Sequence, residues 1–462
     1  MAFTEAQAGR MVARQRKFYW TGTTKTAGFR KDRLMDLHGA IRKREKDISD
    51  ALSKDLGKSE FESYMTEIGF VLSSIREMAS SLEEWMKPEP KKTPIHFRPG
   101  KSFVIREPWG TVLIIGPFNY PFQLVIEPLA AAIAGGNTAV LKPSETTPNV
   151  SAVIREMIAE TFPPEFVTVV EGGKKETSAL IHSPFDFMFF TGSAKVGSIV
   201  MKAAAERLVP VVLELGGKSP AIVDQTANLR TTAERIAWAK FTNAGQTCVA
   251  PDYCLVHHTV KDTFIEELTK AIKDFYGTNP DQSPDYARIV DERQFDRLRE
   301  MLDDERSRIL SGGRMNRDTR YMEPTVVDSP PAGSRVMEEE IFGPILPVYG
   351  YSSLTAVIRS IRERPKPLAA YLFSENRAAT EHFLAELPFG GGCINDALSH
   401  VGNTALPFGG AGPSGIGSYH GKYGFDAFTH EKGILKRGTA FPVRVAFPPY
   451  GNRLKLIKRF LK

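Results

Sequence analysis

A thiol that reacts needs room around its sulfur, and Cys248 has it: the segment FTNAGQTCVAP (241–251) surrounds it with Asn243, Gly245, Gln246 and Thr247. A cysteine that only packs behaves as a small hydrophobe and sits in an apolar stripe. Small polar neighbours instead supply backbone N–H groups and access for a second molecule, which is the setting of a nucleophile. By itself the segment fits either use. Two further residues bear on the choice. Glu214, in VVLELGGKSP, ends an almost wholly apolar run, where desolvation raises a carboxyl pKa towards the working range of a general base. Asn119, in IIGPFNYP, follows another such run and offers its amide N–H as a fixed donor to an oxyanion. Nucleophile, base and oxyanion donor are what oxidation of a carbonyl through a thioester requires, provided a dinucleotide lies near.

Two loops could hold one. TGSAKVG places Gly192 and Gly197 between an apolar run and a helical segment, where glycine lets the backbone approach a pyrophosphate and the helix N-terminus favours its charge. The spacing is not G-x-G-x-x-G, and glycines also serve such turns for geometry alone. Lys142 and Glu145, in LKPSE, follow another apolar run, and a lysine and a carboxylate there can bond ribose hydroxyls. Ser144 or Thr147 ahead of a helix also reads as ordinary N-terminal capping.

The elements that must position these groups alternate. TVLII, TAVLK, FVTVV, DFMFF and VVLEL are candidate strands, with helices near 122–134, 148–161, 174–182 and 195–208 between them. That β-α-β-α-β order predicts a parallel sheet covered on both faces, with ligands beyond the carboxyl ends of its strands. A second series, AIVD, YCLVHH, TVVDS, ILPVYGY, AAYLF and GCIND, predicts a second α/β domain. Leu34, Leu37, Ile41, Ile48 and Leu52 recur at helical spacing and predict one amphipathic helix over 29–56 on the domain surface. The Pro-rich stretch 87–102 reads as a linker or excursion.

Bulk composition narrows the class. The 462 residues are 42% hydrophobic and 25% charged, ordinary for a globular protein of two to four domains. Three cysteines without C-x-x-C spacing, and an N-terminus without an apolar core, predict a reduced, cytoplasmic setting. Cys254 and Cys393 read as packing residues, and the histidines show no ligand spacing, so no metal is expected. Nine of the 60 Lys and Arg, and none of the 54 Asp and Glu, lie from Lys432 onward, so the net charge of +6 becomes −3 for the remainder. The basic character belongs to one tail, which argues against a nucleic-acid enzyme. Its end, RLKLIKRFLK (453–462), has the pattern of a basic amphipathic helix. Docking on a dimer and peripheral contact with an anionic membrane both suit that pattern.

Taken together, FTNAGQTC, LELGGKSP, FTGSAKVG, LKPSE, EEIFGP (339–344) and LPFGGAGPSGIGSYHGKYGFDAFTH (406–430) resemble the motif set of the aldehyde dehydrogenase superfamily. SYHGK is most similar to its class 3 branch, which acts on fatty and aromatic aldehydes. The resemblance runs from about residue 5 to about 450. It implies Cys248 as nucleophile, Glu214 as the base that activates water and Asn119 as oxyanion donor. It implies Lys142 and Glu145 at the adenosine ribose, Gly192, Ser193 and Gly197 at the pyrophosphate, and Glu340 and Phe342 at the nicotinamide ribose and ring. Tyr120 and Phe408 would line a substrate tunnel.

The implied fold is α/β: a Rossmann-like cofactor domain (1–86 and 106–216), an α/β catalytic domain (217–418), a small β-rich oligomerisation element (87–105 and 419–445) and the basic tail (446–462). The implied cofactor is NAD, with NADP possible. The implied partners are a hydrophobic aldehyde and a second copy in a homodimer. An acylating enzyme that passes the thioester to coenzyme A is the nearest alternative, and it needs no water-activating carboxylate. An idle binding protein on the same scaffold is another.

Overall fold

A computed structural model describes residues 3–439 and 447–460; the side chains of Leu456 and Phe460 lie outside the described residues. The first β-α series forms a six-stranded sheet. Its parallel strands Val211–Glu214, Phe187–Thr191, Thr111–Ile115, Thr138–Lys142 and Val167–Val169 lie side by side in that order. From the central Thr111–Ile115 strand the chain winds outward to one side and then, from Phe187, to the other. The strand ends therefore diverge between Thr111–Ile115 and Phe187–Thr191, which opens a crevice beyond their carboxyl ends. Three of the five strands are buried at every residue, as expected for strands covered on both faces.

The second series forms a seven-stranded sheet in the order Ile309–Ser311, Thr325–Asp328, Ile345–Tyr351, Tyr253–His257, Pro220–Val223, Ala369–Phe373, Gly391–Ile394. All but its Ile309–Ser311 edge are parallel. Gly415–Ile416, far along the chain, pairs antiparallel with Leu213 and Glu214 and so adds a sixth strand to the first sheet.

Two expectations need correction. Residues 29–56 form two helices, Ala27–Lys43 and Glu45–Leu56, broken at Arg44 (φ −107°, ψ 16°). The apolar spacing runs on because both bury their stripe, but against different partners. The first packs on helix Gly69–Trp85 and the second on helix Pro148–Thr161, where Arg44 pairs with Glu156 and Glu160. The stretch 87–102 is not a plain linker. Glu89–Lys91 and Lys101–Pro108 are strands, and Lys101–Pro108 pairs along its full length with Thr429–Lys436 to make a three-stranded sheet.

Leu454–Phe460 is helical, with Leu454 exposed. Leu461 and Lys462, and the 440–446 segment before the tail, lie outside the described residues. No described helix is long and apolar enough to cross a membrane.

Candidate active site

The thiol is delivered by an unusual piece of backbone. Helix Leu229–Phe241 ends at Thr242, and Asn243, Ala244 and Gly245 then follow with φ of 55°, 50° and 75°. A left-handed residue other than glycine costs roughly 1–2 kcal/mol, so this turn must be held from outside. Gln246 does part of that: its amide donates to the carbonyls of Asn243 (3.0 Å) and Arg288 (2.9 Å), and its oxygen accepts from Val290 N–H (2.9 Å). Asn243 does the rest, donating from Nδ2 to the carbonyls of Asn119 (2.7 Å) and Gln246 (3.1 Å). The turn leaves Cys248 half-buried, with its own N–H and that of Val249 directed at the sulfur.

Asn119 lies in the irregular segment that follows the central Thr111–Ile115 strand, at the crevice between the diverging strands. It is almost fully buried. Its carbonyl takes the Asn243 bond and a second from Lys58 Nζ (3.1 Å). Among the described residues no hydrogen bond ties its side-chain amide. Next to it, the Tyr120 hydroxyl meets Thr247 Oγ1 at 2.8 Å, so the Asn119 and Cys248 loops touch at two points.

Three acids complete the site, Glu214 and Glu127 buried and Glu340 half-buried. Glu214 is buried at the end of its strand, and neither carboxyl oxygen has a hydrogen-bond partner among the described residues. Desolvation, then the neighbouring Glu127, hold its pKa well above the usual carboxylate range. Glu127 is itself fully buried, with Oε1 accepting from Ser74 at 3.3 Å and Oε2 unpartnered, and burial raises it to about 8. Glu340 lies over Gly216, where an added Cβ would come within 2.0 Å of its Oε2. Burial, then Asp252, raises it to about 8, against a bond from Gly217 N–H. The Cys248 thiol responds to this company: burial first, then Glu340 and Glu214, push it up to about 12.

The Glu340 loop is tied to the rest. Lys218 pairs with Asp252 and donates to the carbonyls of Val336 (2.8 Å) and Glu339 (2.9 Å). Asp252 accepts from Ile341 N–H (2.9 Å), and Arg297 donates to the carbonyls of Glu340 (3.2 Å) and Ile341 (2.6 Å). Phe342, held at φ 49°, packs edge-on against Phe118 at 5.6 Å.

The loops expected to take a dinucleotide emerge at the carboxyl ends of the two strands that flank the central Thr111–Ile115 strand. Lys142 is buried and bonds the Pro143 carbonyl (2.7 Å) and Glu145 (3.4 Å), while Glu145 is half-exposed. Ser193 caps helix Ala194–Ala205, accepting from Val196 N–H at 3.4 Å, and residues 193–196 face solvent. Gly192 N–H bonds the Glu214 carbonyl at 2.9 Å, which joins this turn to the strand of the buried acid. A Cβ at Gly197 would meet Leu215 at 2.5 Å, so this glycine seats the helix on the sheet. An open helix N-terminus beside a buried ammonium and an exposed carboxylate fits a dinucleotide's pyrophosphate and ribose.

Phe408 is buried and stacks on His420 (5.1 Å, 14°). Among the described residues His420 has no hydrogen-bond partner on either nitrogen, and burial lowers it to about 3. The described residues contain no cluster of His, Cys, Asp and Glu able to hold a metal.

Residues 2–434 match the Aldehyde dehydrogenase family. This chain belongs to that family. It is 54% identical, over 96% of its length and 97% of the relative's, to 4,4'-diaponeurosporen-aldehyde dehydrogenase of Staphylococcus aureus. It is 41% identical, over 93% of its length and 88% of the relative's, to aldehyde dehydrogenase family 3 member A2 of Rattus norvegicus. It superposes on a solved structure of the substrate-bound state of Staphylococcus aureus AldH with a TM-score of 0.97, at 53% identity, covering 98% of this chain and 99% of that one. The enzyme is thus a class 3 type NAD(P)-dependent aldehyde dehydrogenase that oxidises aldehydes to carboxylates.

The polar residues that hold the site together, Lys58, Glu67, Lys218, Asp252 and Arg297, were not singled out from the sequence. Asn243 was noticed only as a small neighbour of the thiol. Glu127 did leave a signal, a lone acid in the apolar run QLVIEPLAAAIA, of the same kind that drew attention to Glu214.

Proposed function

We propose that Cys248 gives its thiol proton to water and attacks the aldehyde carbon as the thiolate, and that the oxyanion of the resulting thiohemiacetal is received by the Asn119 side-chain amide and the Cys248 backbone N–H. One observation carries this reading: a half-buried thiol and a buried carboxyl with two unpartnered oxygens share one interior. Lys142 and Glu145 would hold the adenosine ribose, the turn at Gly192, Ser193 and Gly197 the pyrophosphate, and Glu340 with Phe342 the nicotinamide side. The chemistry NAD(P) supplies when bound is two-electron oxidation of the adduct to a thioester. Glu214 then takes a proton from water, hydroxide adds to the thioester carbon, and Cys248 leaves as the carboxylate product forms. An acid whose pKa is raised by desolvation is matched to that step.

Tyr120 and Phe408 supply aromatic walls for a hydrophobic aldehyde, aliphatic of medium or long chain or aromatic. The relative named for 4,4'-diaponeurosporen-aldehyde supports that class. Among the described residues no further strand pairs with the outer edges of the three-stranded sheet, Glu89–Lys91 and Thr429–Lys436, and we assign them to a homodimer. We keep as working domains 1–86 with 106–216 for the cofactor, 217–418 for catalysis, 87–105 with 419–445 for oligomerisation, and the basic tail 446–462. The paired strand Lys101–Pro108 carries the oligomerisation element to 108. The cytoplasmic setting stays part of this reading.

Rapid mixing tests the mechanism. Cys248→Ala should lose turnover by at least about 10⁴-fold with NAD binding retained. Glu214→Gln should give one burst of reduced cofactor and then stall, with steady-state turnover down about 10²–10³-fold. A Cys248→Ala enzyme with near wild-type kcat would end this assignment.

We also propose that the basic tail binds anionic membrane surfaces peripherally. Deleting 453–462 should abolish salt-sensitive co-sedimentation with anionic vesicles. Equal co-sedimentation of intact and truncated enzyme would leave the tail as a docked helix.

A further inference from the structure

Lys58 and Glu67 form a buried ion pair, Nζ to Oε1 at 2.5 Å, with both side chains completely shielded from solvent. Nothing in the mechanism above uses them. A buried pair of this kind seldom stabilises a fold more than apolar side chains of the same volume would, because desolvation offsets the attraction. What it can do is fix the groups that satisfy its remaining hydrogen-bonding capacity.

Those groups all belong to one short segment. The ammonium donates to the Asn119 carbonyl (3.1 Å) and lies 4.0 Å from the centre of the Tyr120 ring. The second carboxylate oxygen, Glu67 Oε2, accepts the N–H groups of Phe122 (2.9 Å) and Gln123 (3.2 Å), where helix Gln123–Gly135 begins. Residues 116–122 have no ladder or helix of their own. The pair therefore holds the irregular stretch at its middle, where Asn119 lies, and at its C-terminal end, where the helix begins. On the far side Asn243 donates to the same Asn119 carbonyl at 2.7 Å, so that carbonyl is fixed from the pair and from the thiol loop together.

The two partners arrive by special local backbone. Lys58 follows Gly57, which closes helix Glu45–Leu56 at φ 65° and where an added Cβ would strike Arg288 at 2.8 Å. Glu67 lies on a π-helical turn, Tyr64–Ile68, set between helices Glu60–Ser63 and Gly69–Trp85. A π-turn widens a helix by one residue and is found mostly where a side chain must be redirected for function.

We infer that Lys58 and Glu67 are positioning residues for the oxidation reaction, acting through Asn119: they hold its main chain so that the side-chain amide stays aimed at the developing oxyanion. This rests on the reading of Asn119 as oxyanion donor. Donors of this kind act because they are aligned before charge develops. A slack loop therefore costs rate in the acylation step rather than affinity for NAD.

The test measures acylation-burst rates and NAD dissociation constants for Lys58→Met, Glu67→Gln, Asn119→Ala and the double variant Lys58→Met/Asn119→Ala. Lys58→Met and Glu67→Gln should each slow the burst 30- to 300-fold with NAD affinity unchanged within twofold, and Lys58→Arg should recover part of the Lys58→Met loss. The double variant should be no slower than Asn119→Ala alone, because residues acting through one another are not additive. A Lys58→Met penalty that persists in full in the Asn119→Ala background would overturn the inference. So would wild-type burst rates in Glu67→Gln or in the apolar double variant Lys58→Met/Glu67→Met, which serves if the single lysine variant fails to fold. Loss in Lys58→Met together with a fully active Asn119→Ala would instead overturn the role of Asn119.

Discussion

The loops above the thiol and the acids beneath it are both buried and both polar, yet they are bonded in opposite ways. Around Asn119 and Cys248, the side chains of Lys58, Glu67 and Gln246 spend their hydrogen-bonding capacity on backbone groups. Glu214 leaves both carboxyl oxygens unpartnered, Glu127 leaves one, and His420 leaves both ring nitrogens. An unsatisfied buried polar group costs about 1–3 kcal/mol, so several at one place are a real loss of stability. The difference follows function on the mechanism proposed above. Groups that must keep an angle are saturated with bonds, whereas groups that must meet water, substrate or a proton are kept free and, in the acids, poised by burial to bind a proton more tightly than an ordinary carboxylate.

The largest effect should come from breaking the bonded side where the thiol loop meets the Glu340 loop. Gly245 has φ 75°, and a Cβ there would lie 2.3 Å from the Gly343 carbonyl oxygen, which is backbone and cannot swing aside. Gly245→Ala should lower unfolding stability by roughly 3 kcal/mol, seen as a large drop in the apparent thermal midpoint. An unchanged midpoint would mean that the two loops are not rigidly joined.

A smaller, pH-dependent effect sharpens the other side. The folded pKa of Glu127, about 8, lies above its ordinary value of 4.5. Its contribution to stability is therefore complete below pH 4.5 and is lost as pH rises through 8. Glu127→Gln removes that dependence, so the variant's midpoint should gain on the wild type between pH 5 and 8. The slope is at most about 1.4 kcal/mol per pH unit. Parallel midpoint curves would show that Glu127 is ionised in the fold.

The smallest effect concerns a half-exposed carboxylate whose one partner is the Lys142 ammonium. Glu145 faces solvent for half its surface, and an exposed charge is worth 1 kcal/mol or less. Glu145→Gln should therefore narrow the preference for NAD over NADP in kcat/KM by only about threefold to fivefold. A reversal of preference would give this residue more weight than its exposure allows.

The sequence alone determined the parallel strands of both sheets, though not the antiparallel Gly415–Ile416 and Ile309–Ser311 edges, because strands covered on both faces must be short apolar runs and a lone polar residue at the end of one stands out. Glu214 and Asn119 are legible as candidates for that reason, and Cys248 from its small polar neighbours. Glu127 carries the same kind of signal within QLVIEPLAAAIA. The tertiary structure decided what spacing cannot carry. Helical periodicity passed through the break at Arg44 because each helix keeps its stripe while changing partner. Lys58 and Glu67 stand nine residues apart among many other charges, and a one-dimensional pattern does not distinguish a buried ammonium from a solvated one. Their partners, Asn119, Phe122 and Gln123, lie more than fifty residues further on. Asn243 and the Asn119 carbonyl, 124 residues apart, meet only because two sheets close on each other. Residue type and local burial thus specify which groups can react, whereas the aim of those groups depends on long-range bonds to backbone, which leave no local trace.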